Sequence, residues 1–187
     1  MFNVVLFPRQ KVRKCIDQEG YAERWNANDL LARGGVTIDE YIASIRNPTL
    51  SEMCSLSMRI SEIQDEPEWL RSIPWKVLMF GAGEGGLPHT HGPYIMLPIG
   101  VKFSASTLKH EKVHVYQRLH PLETCFALAK ANPITGFEYP ENNQRANPDT
   151  SRILFGDMRP VWKDEVRDLS DIRDNRDHPF ELMAYEV

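Results

Sequence analysis

The stretch from Thr107 to Arg118 reads Thr-Leu-Lys-His-Glu-Lys-Val-His-Val-Tyr-Gln-Arg and contains His-Glu-x-x-His at His110, Glu111 and His114. At about 3.6 residues per helical turn, positions four apart share a face, so His110 and His114 can aim at one atom. Two imidazole nitrogens on one face supply half of a tetrahedral zinc site. Glu111 then stands beside the metal's open position, where a carboxylate takes a proton from water and passes it to a leaving amine. The competing reading is a surface helix with two solvated histidines and a Glu-Lys pair.

The chemistry requires a helix, and the flanks agree. Ser104, Ser106 and Thr107 offer N-caps, Leu108, Val115 and Leu119 offer apolar contacts, and Pro121 ends the run. Lys112 occupies a position that is usually apolar in such helices, and its long stem allows it to snorkel to solvent.

A zinc site needs a third protein ligand. His120 lies six residues after His114, the spacing of an extended motif that places Gly at the midpoint so that the chain can turn off the helix. Gln117 stands there instead and favours continuing the helix, which carries His120 to another face. Glu181 is the stronger candidate, in the first turn of a helix opened by Pro179. Tyr185, four residues on, shares its face and can donate to a developing oxyanion. An acid at a helix start also needs no metal to explain it. Glu138 and Glu141, in a loop, are weaker candidates.

Two further stretches bear on function. In an extended segment His89 and His91 point the same way, which suits a substrate-binding, supporting or second metal role as well as it suits backbone-bonded loop histidines. Gly81-Ala82-Gly83-Glu84-Gly85-Gly86 follows a strand, as phosphate-binding loops do. However, Leu87-Pro88 cannot open a helix and no Lys-Ser/Thr pair follows, so a flexible turn or lid is the better account.

The supporting elements follow from length and pattern. With 187 residues, 42% hydrophobic and 26% charged, the chain suits one domain with its own core. A net charge of −4 gives no basic footprint for nucleic acid. No apolar run is long enough to span a bilayer, and no secretory leader is recognisable. Cys15, Cys54 and Cys125 are odd in number and far apart, and read as free thiols buried in helices of a cytoplasmic protein.

Residues 1–70 read as a helical scaffold after a short strand at Phe2 to Phe7. The scaffold includes pieces of helix from Lys11 to Leu31, a capping box at Thr37 to Glu40, and an apolar stripe at Met53, Leu56, Ile60 and Ile63. Residues 73–187 read as strands at Trp75 to Phe80 and Tyr94 to Pro98, the metal helix, and a short helix from Leu122 to Ala131 burying Cys125, Phe126, Leu128 and Ala129. An irregular stretch through Tyr139 and Asn147 follows, then strand pieces at Ile153 to Phe155 and Arg159 to Trp162, and a final helix after Asp177. The expected class is α+β.

The runs Leu87-Pro88-His89-Thr90-His91-Gly92, Ile95-Met96-Leu97-Pro98, Leu108 to Arg118 and His178 to Tyr185 together resemble a little-characterised group of zincin-like proteins found in large DNA viruses and some algae. The resemblance covers about the second half of the chain, and its specific core is His-Glu-x-x-His. It implies a zincin-like fold with an edge strand above the metal helix that holds an extended peptide. It also implies Glu181 as third ligand, Zn²⁺ as cofactor and a peptide or protein as substrate. The resulting expectation is a zinc metallopeptidase, with Glu111 catalytic and His110, His114 and Glu181 binding the metal. Two alternatives belong to other classes. One is an inactive structural protein, particle-associated if viral, that keeps zinc in a closed four-ligand site supplied by His120 or His89. The other is a nucleotide-binding protein using Gly81 to Gly86.

Overall fold

The computed structural model describes residues 9–21, 27–138, 158–163 and 179–187. The strand expected at Phe2 to Phe7, the loop beyond Glu138 with its candidate Glu141, the strand piece at Ile153 to Phe155, and Asp177-His178 lie outside them. The chain is α+β. Helices α1 (Arg9–Gln18), α2 (Ala27–Ala32), α3 (Ile38–Ser44), α4 (Leu50–Ser61) and α5 (Glu68–Arg71) precede strands β1 (Val77–Phe80), β2 (His89–His91) and β3 (Tyr94–Pro98). Helices α6 (Ala105–Leu119) and α7 (Pro121–Leu128), the strands β4 (Ile134–Glu138) and β5 (Arg159–Trp162), and helix α8 (Pro179–Glu186) complete the order.

The sheet has the order β1-β3-β2, with β1 parallel and β2 antiparallel to β3. Side chains alternate across it, and both faces are covered. Val77, Met79, Ile95 and Leu97 pack with Leu56, Leu70, Leu108, Val113 and Val115 on the α4, α5 and α6 side. Leu78, Phe80 and Met96 pack with Val12, Ile16, Tyr41 and Ile42 on the α1 and α3 side. Burial on both faces explains why β1 and β3 are continuous apolar runs. A satellite core of Cys125, Trp162 and Phe180 seats the antiparallel β4–β5 pair against α7 and α8.

Local chemistry sets the helix ends. Thr37 and Glu40 form the expected capping box of α3, and Thr49 and Glu52 form a second at α4. Of the three N-cap candidates before α6, Ser104 is the cap, accepting from the Thr107 N–H. Pro121 both ends α6 and opens α7 at its first turn.

Several expectations need correction. Residues 134–138 form a strand paired with β5, since the partner strand supplies bonds that local turn residues do not reveal. Phe126 is exposed, because α7 buries the face carrying Thr124 and Cys125. Cys54 is exposed and Cys15 is half-buried, and only Cys125 is buried; all three are free. Lys112 does not snorkel: it is 1% exposed, its Nζ donates to Glu66 Oε1 at 2.6 Å and lies 4.5 Å from the centre of the Trp75 ring. An ion pair and a cation–π contact replace the water it leaves. Among the described residues, no helix is long and apolar enough to cross a membrane.

Candidate metal centre

Helix α6 presents His110 and His114 on one face, and α8 brings Glu181 to meet them. The two Nε2 atoms are 3.1 Å apart. Glu181 Oε2 is 3.3 Å from His110 Nε2, and its Oε1 is 3.6 Å from His114 Nε2. Four ligands at about 2.0–2.1 Å from a zinc ion stand about 3.3 Å from one another at the corners of a tetrahedron, so this donor set has the size and chemistry a zinc ion takes. Among the described residues it is the group of His, Cys, Asp and Glu side chains that converges in this way. Burial opposes ionisation of Glu181, but His114 and His110 outweigh it and hold the carboxyl well below its usual range.

Each of these three side chains is positioned by the fold. Leu108, Val113 and Val115 anchor α6 in the main core, and Phe180 anchors the start of α8 against Trp162. Gln117 joins the two helices, with Oε1 2.9 Å from His114 Nδ1 and Nε2 donating to the Phe180 carbonyl at 2.9 Å. Glu111 is buried beside His110 on α6. Tyr185, one turn beyond Glu181, sets its ring 4.5 Å from that of His110 while remaining 64% exposed.

The other candidates lie elsewhere. His120 stacks on Tyr116 at 4.6 Å, with Nδ1 4.0 Å from Glu123. Glu138 is paired into β4 opposite Arg159. His89 and His91 do share a face, but it is the face away from α6. Register opposes His89 to Met96 and His91 to Tyr94, which places both imidazoles on the α1 and α3 side. Thr90, opposite Ile95, faces α6 and accepts from Arg118 Nε at 2.8 Å. His89 Nδ1 is 3.0 Å from the Leu87 carbonyl and Nε2 is 2.6 Å from the Tyr41 hydroxyl. Since a carbonyl only accepts, Nδ1 carries a proton and donates to it.

These histidines belong to a buried polar network. Glu19 receives Arg118 Nη1 at 2.8 Å and the Gly92 N–H at 2.6 Å, and lies 2.9 Å from His91 Nδ1. Burial works against the Glu19 charge, but Arg118, His91 and Gly92 prevail and lower its pKa to about 2. Further along, Glu84 is hydrogen-bonded to Tyr21 and receives Arg33 Nε at 3.1 Å, and Arg33 Nη2 lies 2.6 Å from the Tyr21 hydroxyl. Glu84 has φ of 52°, a left-handed conformation that non-glycine residues adopt at a cost. The glycine-rich segment is therefore pinned by a buried ion pair and is not a loose lid. Its Gly81 and Ala82 N–H groups donate to Ser44 Oγ, and those of Gly86 and Leu87 close turns within the loop, so these amides already have acceptors.

Comparison with known proteins yields no match to a family model, a curated protein or a solved structure.

Proposed function

We propose that this chain is a zinc-dependent hydrolase of the metallopeptidase type, with a zincin-like arrangement of its metal helix. The observation that carries the reading is the convergence of His110 Nε2, His114 Nε2 and the Glu181 carboxylate at separations of 3.1 to 3.6 Å. A zinc ion held there would polarise a carbonyl and bring a water's pKa toward neutrality. Glu111 takes the proton of the attacking water and returns it to the leaving amine. Tyr185 reaches the same site from α8 and donates its hydroxyl hydrogen to the oxygen on which charge develops.

A catalytic rather than purely structural zinc is favoured by where the spare histidines sit. Both ring nitrogens of His89 are engaged across the sheet, and His120 is stacked on Tyr116. Among the described residues neither supplies a fourth ligand, so the set they offer keeps a coordination position for water and substrate. The substrate class that suits this machinery is a peptide or protein, and the three free thiols suit a reducing compartment such as the cytoplasm.

The decisive measurement is metal content of the purified protein with its His110→Ala, Glu181→Gln and Glu111→Gln variants. About one zinc per chain, lost in the first two and retained in the third without turnover, is the expected result. Wild-type protein that takes up no zinc when supplied with it, or Glu111→Gln protein with full activity on a cleaved peptide, would overturn the reading.

A further inference from the structure

The side-chain amide of Gln117 touches both halves of the donor set, and the proton inventory along it leaves little freedom. The Phe180 carbonyl only accepts, so the amide nitrogen of Gln117 must face α8 and its oxygen must face His114. That oxygen only accepts in turn, so His114 Nδ1 must donate to it. A neutral His114 then has its lone pair on Nε2, the atom that stands 3.1 Å from His110 Nε2 and 3.6 Å from Glu181 Oε1. Gln117 and His114 are each 1% exposed and Phe180 is 2% exposed, so water does not compete for these bonds. The carbonyl that orients the amide belongs to the residue directly before Glu181. By contrast, His110 Nδ1 is buried with no hydrogen-bond partner among the described residues.

We propose that Gln117 is the positioning residue of the metal centre: it fixes His114 in the tautomer that can bind an ion and ties the backbone at Phe180 so that Glu181 is in place before the ion arrives. The proposal rests on the zinc reading given above, and it assigns a role to the helix position where an extended motif would place glycine. Without the amide, His114 can carry its proton on Nε2, where it blocks coordination, and the first turn of α8 loses its link to α6.

The test combines long-range ¹⁵N NMR of metal-free protein, at a pH where histidines are neutral, with zinc affinity measured by chelator competition. Wild-type His114 should show the Nδ1–H signature. Gln117→Met, similar in length and unable to accept or donate in this way, should lose that signature and weaken zinc binding by about 10- to 100-fold. Gln117→Glu keeps an acceptor for Nδ1–H and should restore the signature, which keeps the test open if the Met variant fails to fold. His120, stacked on Tyr116 away from the donor set, serves as internal control, its signature unchanged throughout. An Nε2–H tautomer at wild-type His114, or a Met variant with wild-type tautomer and zinc affinity within about twofold, would overturn the proposal. Wild-type protein with the expected tautomer and no zinc binding would overturn the metal reading instead, so the two failures are distinguishable.

Discussion

Arg118 Nη1 donates to Glu19 Oε1 at 2.8 Å, joining α6, which carries His110 and His114, to the first described helical segment across 99 residues of sequence. The same guanidinium holds Thr90 on the edge strand, and the same carboxylate holds Gly92 and His91 at the turn of the hairpin. The N-terminal helices are therefore structural partners of the candidate site, through a charge pair buried at the margin of the sheet. Buried pairs of this kind are costly to break on one side, because the surviving charge is stranded.

Acid stability should report this pair. The folded-state pKa of Glu19, about 2, lies below its ordinary value of 4.5. Its contribution is therefore complete above about pH 4.5 and disappears as pH falls toward 2, and the shift corresponds to on the order of 3 kcal/mol. Urea unfolding between pH 2 and 7 should show stability falling through that window, with a smaller slope in Glu19→Gln. An unchanged slope in the variant would remove Glu19 as the source.

The Arg33–Glu84 pair makes a second expectation. Glu84→Gln leaves the buried guanidinium without its counter-charge and should cost about 3–5 kcal/mol, lowering Tm by roughly 10 °C for a chain of this size. Glu84→Gly relaxes the positive φ but removes both hydrogen bonds, and should also melt below wild type. Thermal unfolding followed by circular dichroism decides the matter. A Glu84→Gly variant more stable than wild type would mean that backbone strain outweighs the pair.

Lys112 offers a measure of how well the unusual residue in α6 is compensated. Lys112→Met preserves the stem against Trp75 and strands Glu66, for an expected loss of about 1–2 kcal/mol. Adding Glu66→Gln should recover most of it. A double-mutant cycle from denaturant unfolding would give a coupling of about 1–3 kcal/mol, and a coupling near zero would show the pair to be incidental.

Tyr185 separates chemistry from scaffolding, since it is exposed and lies against His110. Tyr185→Phe should retain zinc and fold, keep KM within about twofold, and lower kcat on a cleaved peptide by about a hundredfold. Wild-type kcat in that variant would remove the oxyanion role.

The convergence of His110, His114 and Glu181 was legible in the sequence, because helical spacing puts His110 and His114 on one face and a proline-opened helix made Glu181 a reasoned candidate. Ser104, Thr37 and Glu40 announced their caps through the same local rules. The placement of His89 and His91 was not legible. A strand's period shows that the two share a face, but only pairing register with Met96 and Tyr94 decides which face. The partners of Lys112, Glu84 and Glu19 were hidden for a related reason. Each is met by a residue 46 or more positions away, so local patterns cannot announce the pairing. Strand β4 escaped notice because its exposed and half-buried residues alternate without a strong apolar signal.

Gly92 closes the hairpin with φ of 52°, and the sulfur of Cys15 occupies the space a side chain there would need, 2.7 Å from the position of its Cβ. With Cys54 exposed on α4 and Cys125 on the buried face of α7, the chain thus contains three thiols at graded depth. A thiol reagent would meet them in sequence, Cys54 at once, Cys15 when α1 lifts from the hairpin, and Cys125 when the α7–α8 core opens. Burial raises the pKa of Cys15, with Glu19 adding to the effect, and raises that of Cys125 to about 11, which slows both further. Labelling rates at the three positions would serve as separate clocks for local opening, and the middle one times the release of the N-terminal helix from the edge of the sheet.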